Sequence, residues 1–295
     1  MAKTTVDMIK AAEFIWRTGR LLDRRRFAAL FLGEPSEAVV KALGSYQNAD
    51  GGFGNGLEPD IRAPLSQPVP TWTALFILDE AGGFAEPTGA PLVMRACDYL
   101  RTITTSEGGV PFVLPSVREY PRAPWWETED SPRAALNPTA AMAALLHKHG
   151  VAHPWLAAAT DYCWRASDAI TATSPYEMRA VLPFLDHVPD RARAEAAFAR
   201  LGPLMLEQKL VALTPTSEED THTPLNYAPT PQTMARRLFA DNVIAAHLDA
   251  LAAAQQSDGG WPISWLDWNP ATTLEWRGAV TIEALSALKA YGRLS

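Results

Sequence analysis

The stretch LGSYQNADGGF, Leu43 to Phe53, returns near the other end of the chain as LAAAQQSDGGW, Leu251 to Trp261. Both place a Leu, then Gln four residues on, then Gly-Gly-aromatic: Leu43, Gln47, Gly51, Gly52 and Phe53 against Leu251, Gln255, Gly259, Gly260 and Trp261. A third copy, Leu100, Thr104, Gly108, Gly109 and Val110, keeps the spacing and loses the Gln and the aromatic. Three copies with one internal spacing mark a repeat architecture. Between Leu100 and Leu251 there is room for about three units of roughly 50 residues, so two faded copies are expected there.

Each copy leads into an apolar run that stops on a glycine, at Gly82, Gly150 and Gly292. The Gly-Gly pair supplies the positive-φ positions that end one helix, and the later glycine ends the next. In the middle unit Asn137 and Pro138 read as a helix start, as does Asp190 ahead of residues 191–202. Further helices are expected near 6–20, 24–31, 36–47, 91–104, 154–168, 175–186 and 234–256, ten to twelve in all and about six hairpins. Such hairpins bury their apolar faces by stacking, as an open solenoid or a closed ring.

With 295 residues, 47% of them hydrophobic, the chain can bury a large core. Ala and Leu in helical spacing argue for an all-α protein. A net charge of −7 disfavours nucleic acid as a partner. The basic run Arg24-Arg25-Arg26 sits between apolar residues and reads as a solvated helix edge. No apolar run is long enough to span a bilayer and Met1–Lys10 lacks a signal-peptide core, so a cytoplasmic location is expected, with peripheral membrane contact left open. Cys97 and Cys163 read as buried thiols.

The Leu, Gln, Gly-Gly-aromatic phrase resembles the QW motif of squalene-hopene and oxidosqualene cyclases, whose fold is related to that of prenyltransferase β subunits. The resemblance rests on residues 41–82 and 251–292, with the weaker copy at 100–110 between them. It implies one α/α toroid over 1–295, about six helical hairpins closing into an α/α barrel with a central cavity. It also implies that Gln47, Phe53, Gln255 and Trp261 tie successive hairpins together rather than act in catalysis.

Chemistry is therefore sought in the long loops. GNGLEPDIRAPLSQP, Gly54 to Pro68, carries Glu58, Asp60 and Arg62. Two carboxyls two residues apart can share a proton or a cation, and Arg62 can bind an anion or hold one carboxylate charged. An Asp60–Arg62 pair that merely orders the loop is the plain alternative. TPTSEEDTHTPLNYAPTP, Thr214 to Pro231, carries Glu218, Glu219, Asp220 and His222. Its SEEDT segment matches in part the D-x-D-D-T-A motif of class II cyclases, with Glu219 under the proton-donating Asp and Ser217 in place of the first Asp. There Asp220 or His222 would assist an acid kept protonated in a dry cavity.

Asp161 and Cys163 resemble the D-x-C zinc ligands of prenyltransferase β subunits, with His222 or His247 as a third ligand. On a continuous helix, however, positions two apart point in nearly opposite directions, so no metal is assigned. Trp72, Trp125, Trp126, Trp265, Trp268 and Trp276 are suited to lining a cavity that stabilises cations, to stacking on sugars, or to packing between short helices. Glu275 and Arg277 read as a capping and surface pair. Signatures for metal-bound diphosphate, P-loop, Rossmann and serine-hydrolase chemistry are missing, and no cofactor is expected.

These features lead to a terpenoid-cyclase-like isomerase or lyase acting on a small apolar, isoprenoid substrate. The rival readings are a carbohydrate-active hydrolase or lyase on an α/α toroid, and a non-catalytic toroid that binds a lipid or a protein.

Overall fold

A computed structural model describes residues 6–216, 218 and 221–294, and helices carry nearly all of its regular structure. No strand occurs among the described residues; three isolated bridges pair single loop residues. Two compact units emerge.

The unit from Gly33 to Ala197 contains most of the chain's middle. With α1 (Met8–Thr18) and α2 (Leu21–Phe31) preceding it, its helices are α3 (Glu37–Gly44), α4 (Pro68–Glu80), α5 (Gly89–Thr102), α6 (Leu136–Lys148), α7 (Pro154–Asp168) and α8 (Pro175–His187). Helix α6 packs on α4, α7 and α8 and is its centre. From Pro138 to Leu146 every residue of α6 is buried, which requires protein on all sides. Asn137 is extended and joined to Pro138 by a cis peptide bond, so the regular turns begin at the proline. Pro at the first position and Ser174, whose side chain accepts from the Glu177 amide, start α8.

The other unit combines residues up to Leu32 with those from Phe198 onward. Here α12 (Pro270–Ala290) packs on α1, α2 and α11 (Asp241–Ala253), and the short α10 (Pro224–Tyr227) packs on α11. Helix α9 (Arg191–Glu207) carries the chain into this unit. Asp190 caps it as expected, accepting from the Arg193 amide at 3.1 Å. Its far end turns at Lys209, which takes φ +57° where the repeats use glycine.

Two local expectations are corrected. The helix expected over 234–256 is broken, because Met234–Leu238 forms a 3-10 turn and Phe239 and Ala240 are extended before α11 starts. Arg236 holds the break by donating to the Phe239 carbonyl and pairing with Asp241. The Arg24–Arg26 run is not wholly a solvated edge: Arg26 is buried against the equally buried Asp23 one turn earlier, at 3.4 Å. Gly278 of α12 makes the room, since a Cβ there would lie 3.1 Å from Asp23 Oδ2.

The three repeat turns share one construction. The first glycine of each pair has φ of +92° to +96° (Gly51, Gly108, Gly259). The second lies against an aromatic ring of a helix outside its own hairpin: Tyr99 of α5 for Gly52, Tyr162 of α7 for Gly109 and Phe14 of α1 for Gly260. Gln47 Nε2 donates to Leu92 O on α5, and Gln255 Nε2 donates to Asp7 O while its Oε1 accepts from the Asp7 amide ahead of α1. The last repeat thus docks on the first helix of the chain. Arg277 closes it, holding Asp258 through two 2.8 Å bonds rather than standing as a surface pair with Glu275.

Candidate functional site

The loop from Gly54 to Pro68 is built into the Gly33–Ala197 unit rather than draped over it. Leu57, Ile61 and Ala63 are buried, and the carbonyls of Pro64 and Leu65 close on Gly54 so tightly that a Cβ there would meet Leu65 O at 2.3 Å. Two short turns shape the acidic stretch, with the Leu57 amide donating to Gly54 O and the Ile61 amide to Glu58 O. Gln67, fully buried, fastens the far end: its Oε1 accepts from the Leu114 amide and its Nε2 donates to Ser116 Oγ.

The same loop pairs with residues 121–123. The Ala123 amide donates to Asp60 O and the Arg62 amide to Pro121 O, both at 3.0 Å, across the Ile61–Arg122 bridge. This pairing brings the indole of Trp125 to Asp60, whose Oδ2 accepts its Nε1–H at 3.1 Å. Glu58 Oε1 accepts from the hydroxyl of Thr73 on α4. Both carboxyls are withdrawn from water, Glu58 at 5% and Asp60 at 3% exposure, whereas Trp125 remains 38% exposed. Arg122 is committed to Glu127 and to the Arg118 carbonyl, and Arg118 to Asp130 and the Thr128 carbonyl.

Of the residues expected at a site, the structure joins Asp60 to Trp125, while Glu58 on the same loop is bonded to Thr73 and the Arg62 amide to Pro121 O. Half-buried Trp72 neighbours Thr73 on α4, its ring 6.1 Å from Phe76. Trp126 is buried, stacked on Phe112 at 5.0 Å. In the other unit Trp265 and Trp276 meet edge to face at 5.3 Å, and Trp268 is half-buried nearby in sequence. His222 is buried with its ring 5.9 Å from Tyr227. Glu219 and Asp220 lie outside the described residues.

Thr73 and Gln67 escaped the sequence reading. Gln67 directly precedes a helix-starting proline, a position that draws attention to caps and not to long-range bonds. Thr73 carries no motif signal.

For Asp161 and Cys163 the helix geometry holds: Asp161 is exposed on α7 and Cys163 is fully buried. Burial pushes the Cys163 thiol up and that of Cys97 up to about 12. Among the described residues, no three His, Cys, Asp or Glu side chains cluster as metal ligands.

Helical hairpins built around Gly-Gly turns define an all-α hairpin-repeat fold. The solved structure of the type II terpene cyclase MstE from Scytonema has this fold: the match spans 97% of this chain and 89% of that one, with a TM-score of 0.52. At 14% identity the likeness is one of fold. No family model and no curated protein matches the sequence.

Proposed function

We propose that this protein is a terpenoid-cyclase-like enzyme, in which a carboxylic acid of the Gly54–Pro68 loop protonates a small apolar isoprenoid substrate and starts carbocation chemistry. The observation that carries the reading is the burial of Glu58 and Asp60, at 5% and 3% exposure, on one loop of a chain with a terpene cyclase's fold. An acid must be out of water to transfer a proton to an alkene, because exposed it would ionise and protonate solvent instead.

The half-buried tryptophans Trp72, Trp265, Trp268 and Trp276 and the exposed Trp125 fit the same reading, since indole faces stabilise nearby cations. In it the whole of 1–295 acts as one α/α toroid, and Glu219, Asp220 and His222 supply the second acidic loop.

The test is incubation of the purified protein with squalene, its epoxide and prenyl diphosphates of increasing length, with products read by gas chromatography and mass spectrometry. A cyclic product that disappears in both Glu58→Gln and Asp60→Asn supports the reading. No product from any isoprenoid, with release of sugars from a polysaccharide lost in the same variants, would select the carbohydrate reading instead.

A further inference from the structure

In the unit that combines the chain's two ends, α12 runs parallel to α2. Gly278 lies beside Asp23, its would-be Cβ 3.1 Å from Oδ2, and further along Lys289 Nζ donates to Leu30 O. The turn at Gly19 and Arg20 joins α1 to α2, so the last turn of α1 lies with the first turns of α2 and α12. Ahead of the level of Asp23, α2 has two residues, whereas α12 has eight ahead of Gly278, about 12 Å of helix.

This end is apolar on its outside. Trp16 in the last turn of α1, Leu21 at the start of α2, Leu274 in the first turns of α12 and Leu266 in the loop ahead of it are 42% to 61% exposed. Single exposed apolar side chains are ordinary, but four large ones on the joined ends of three helices mark a contact surface. The loop that presents Leu266 is held in place. Trp265 packs edge to face on Trp276 at 5.3 Å, Thr273 donates to Asp267, and Asn269 caps α12.

Charge decides what such a surface meets. Residues 6–32 carry six Lys and Arg against three Asp and Glu, and residues 262–277 one against two, a net +2 in a chain of −7. The Arg17 side chain is 70% exposed, with Glu13 at 3.7 Å, and Arg24 folds over the turn, donating to Gly19 O. Asp23 is buried beneath Arg20 and Arg26. A second copy meeting this end symmetrically would bring like charges together. Anionic headgroups attract the same arginines, and Trp and Leu rimmed by Arg are the side chains that settle at a headgroup boundary. Among the described residues no helix is long and apolar enough to cross a membrane, so the contact is made from one face of the bilayer.

We infer that this end of the unit docks on a lipid bilayer carrying anionic headgroups, with Trp16, Leu21, Leu266 and Leu274 entering the headgroup boundary and Arg17 and Arg24 meeting the phosphates. The inference does not depend on the cyclase reading.

The test is co-flotation of the purified full chain with vesicles of phosphatidylcholine alone, and of phosphatidylcholine and phosphatidylglycerol in equal parts. Light scattering of the protein alone reads its oligomeric state. The wild type is expected to float with the mixed vesicles, more weakly with phosphatidylcholine alone, and less at high salt, which screens the headgroup attraction. Leu266→Ser combined with Leu274→Ser should weaken binding to both vesicles by about tenfold or more. Arg17→Ala should weaken binding to the mixed vesicles alone, by about fivefold. Ile9→Ser also removes an exposed apolar side chain, but at the other end of α1, and should leave binding as it was. A wild type that floats with neither vesicle overturns the inference, and that result needs no variant to fold. Binding that Ile9→Ser weakens as much as the leucine pair does also overturns it, because the contact would then run along α1. A dimer in solution that the leucine pair dissolves, with no vesicle binding, assigns the surface to a second copy instead. Vesicle binding without isoprenoid turnover keeps the inference and sinks the cyclase reading alone.

Discussion

A methyl group added at Gly260 would sit 2.7 Å from carbons of the Phe14 ring, and one at Gly52 would meet the Tyr99 ring at the same distance. Real Cβ atoms do not approach so closely, and both rings belong to helices whose packing fixes them. Gly260→Ala is therefore an overpacking change, expected to cost about 1–3 kcal/mol. Gly44 on α3 is the control: it has no atom within 4 Å of its would-be Cβ and lies in the last turn of a helix, where Ala is favoured by roughly 0.5–1 kcal/mol. Urea unfolding of the two variants should move in opposite directions. Equal shifts would mean that the ring and the glycine are not in contact. Steric demand of this kind is why the turns could be read from sequence at all: only glycine satisfies both the positive φ and the close ring, so the pair persists in all three copies.

At the scale of the element, each turn is joined to the second helix of its own hairpin by one threonine. The amides of Phe53, Val110 and Trp261 donate to the hydroxyls of Thr71, Thr139 and Thr281, at 3.0 to 3.2 Å and out of solvent. Removing one hydroxyl leaves a buried N–H without an acceptor, at a cost of about 1–3 kcal/mol. Thr281→Val should show that loss in denaturant unfolding, and Thr281→Ser, which keeps the oxygen, should recover most of it. If Ser is no better than Val, the methyl and not the bond matters. These threonines could not be found from the repeat, because the connecting loops differ in length and no fixed spacing links each threonine to its turn. The candidate site divides in the same way. Glu58, Asp60 and Trp125 stand out in the sequence as charge and aromatics in loops, whereas Thr73 and Gln67 act through contacts that only folding creates.

Across the whole chain, the residues that escaped or misled the sequence reading are polar groups that burial pairs. Arg26 is an instance: three arginines in a row suggest a wet surface, yet Asp23 one turn earlier lets one of them go inside. Ionisable groups whose proton affinity the fold shifts also set how the molecule responds to acid. The imidazoles of His147, His187 and His247 all have their proton affinity lowered from the ordinary 6.5, burial being the largest cause in each. For His187 the positive charge of Lys148 adds to the effect, and for His247 bonds to the Leu213 and Ala212 backbone oppose it. In the folded chain these rings stay neutral to lower pH than in the unfolded chain. Above about 6.5 both states carry them neutral and they contribute no pH dependence; as the pH falls below that value the unfolded chain binds more protons and is favoured. Glu107 and Asp258, whose carboxyls are held below the usual range by Arg133 and Arg277, add a second loss at lower pH, when the native carboxylates finally protonate. Thermal unfolding should therefore give a Tm that is flat from pH 8 to about 7 and declines from about 6.5 downward. His247→Gln, by removing one of the three imidazoles, should flatten the upper part of that decline while leaving the more acidic part unchanged. A Tm that rises between pH 7 and 5 would contradict the lowered proton affinity of these rings.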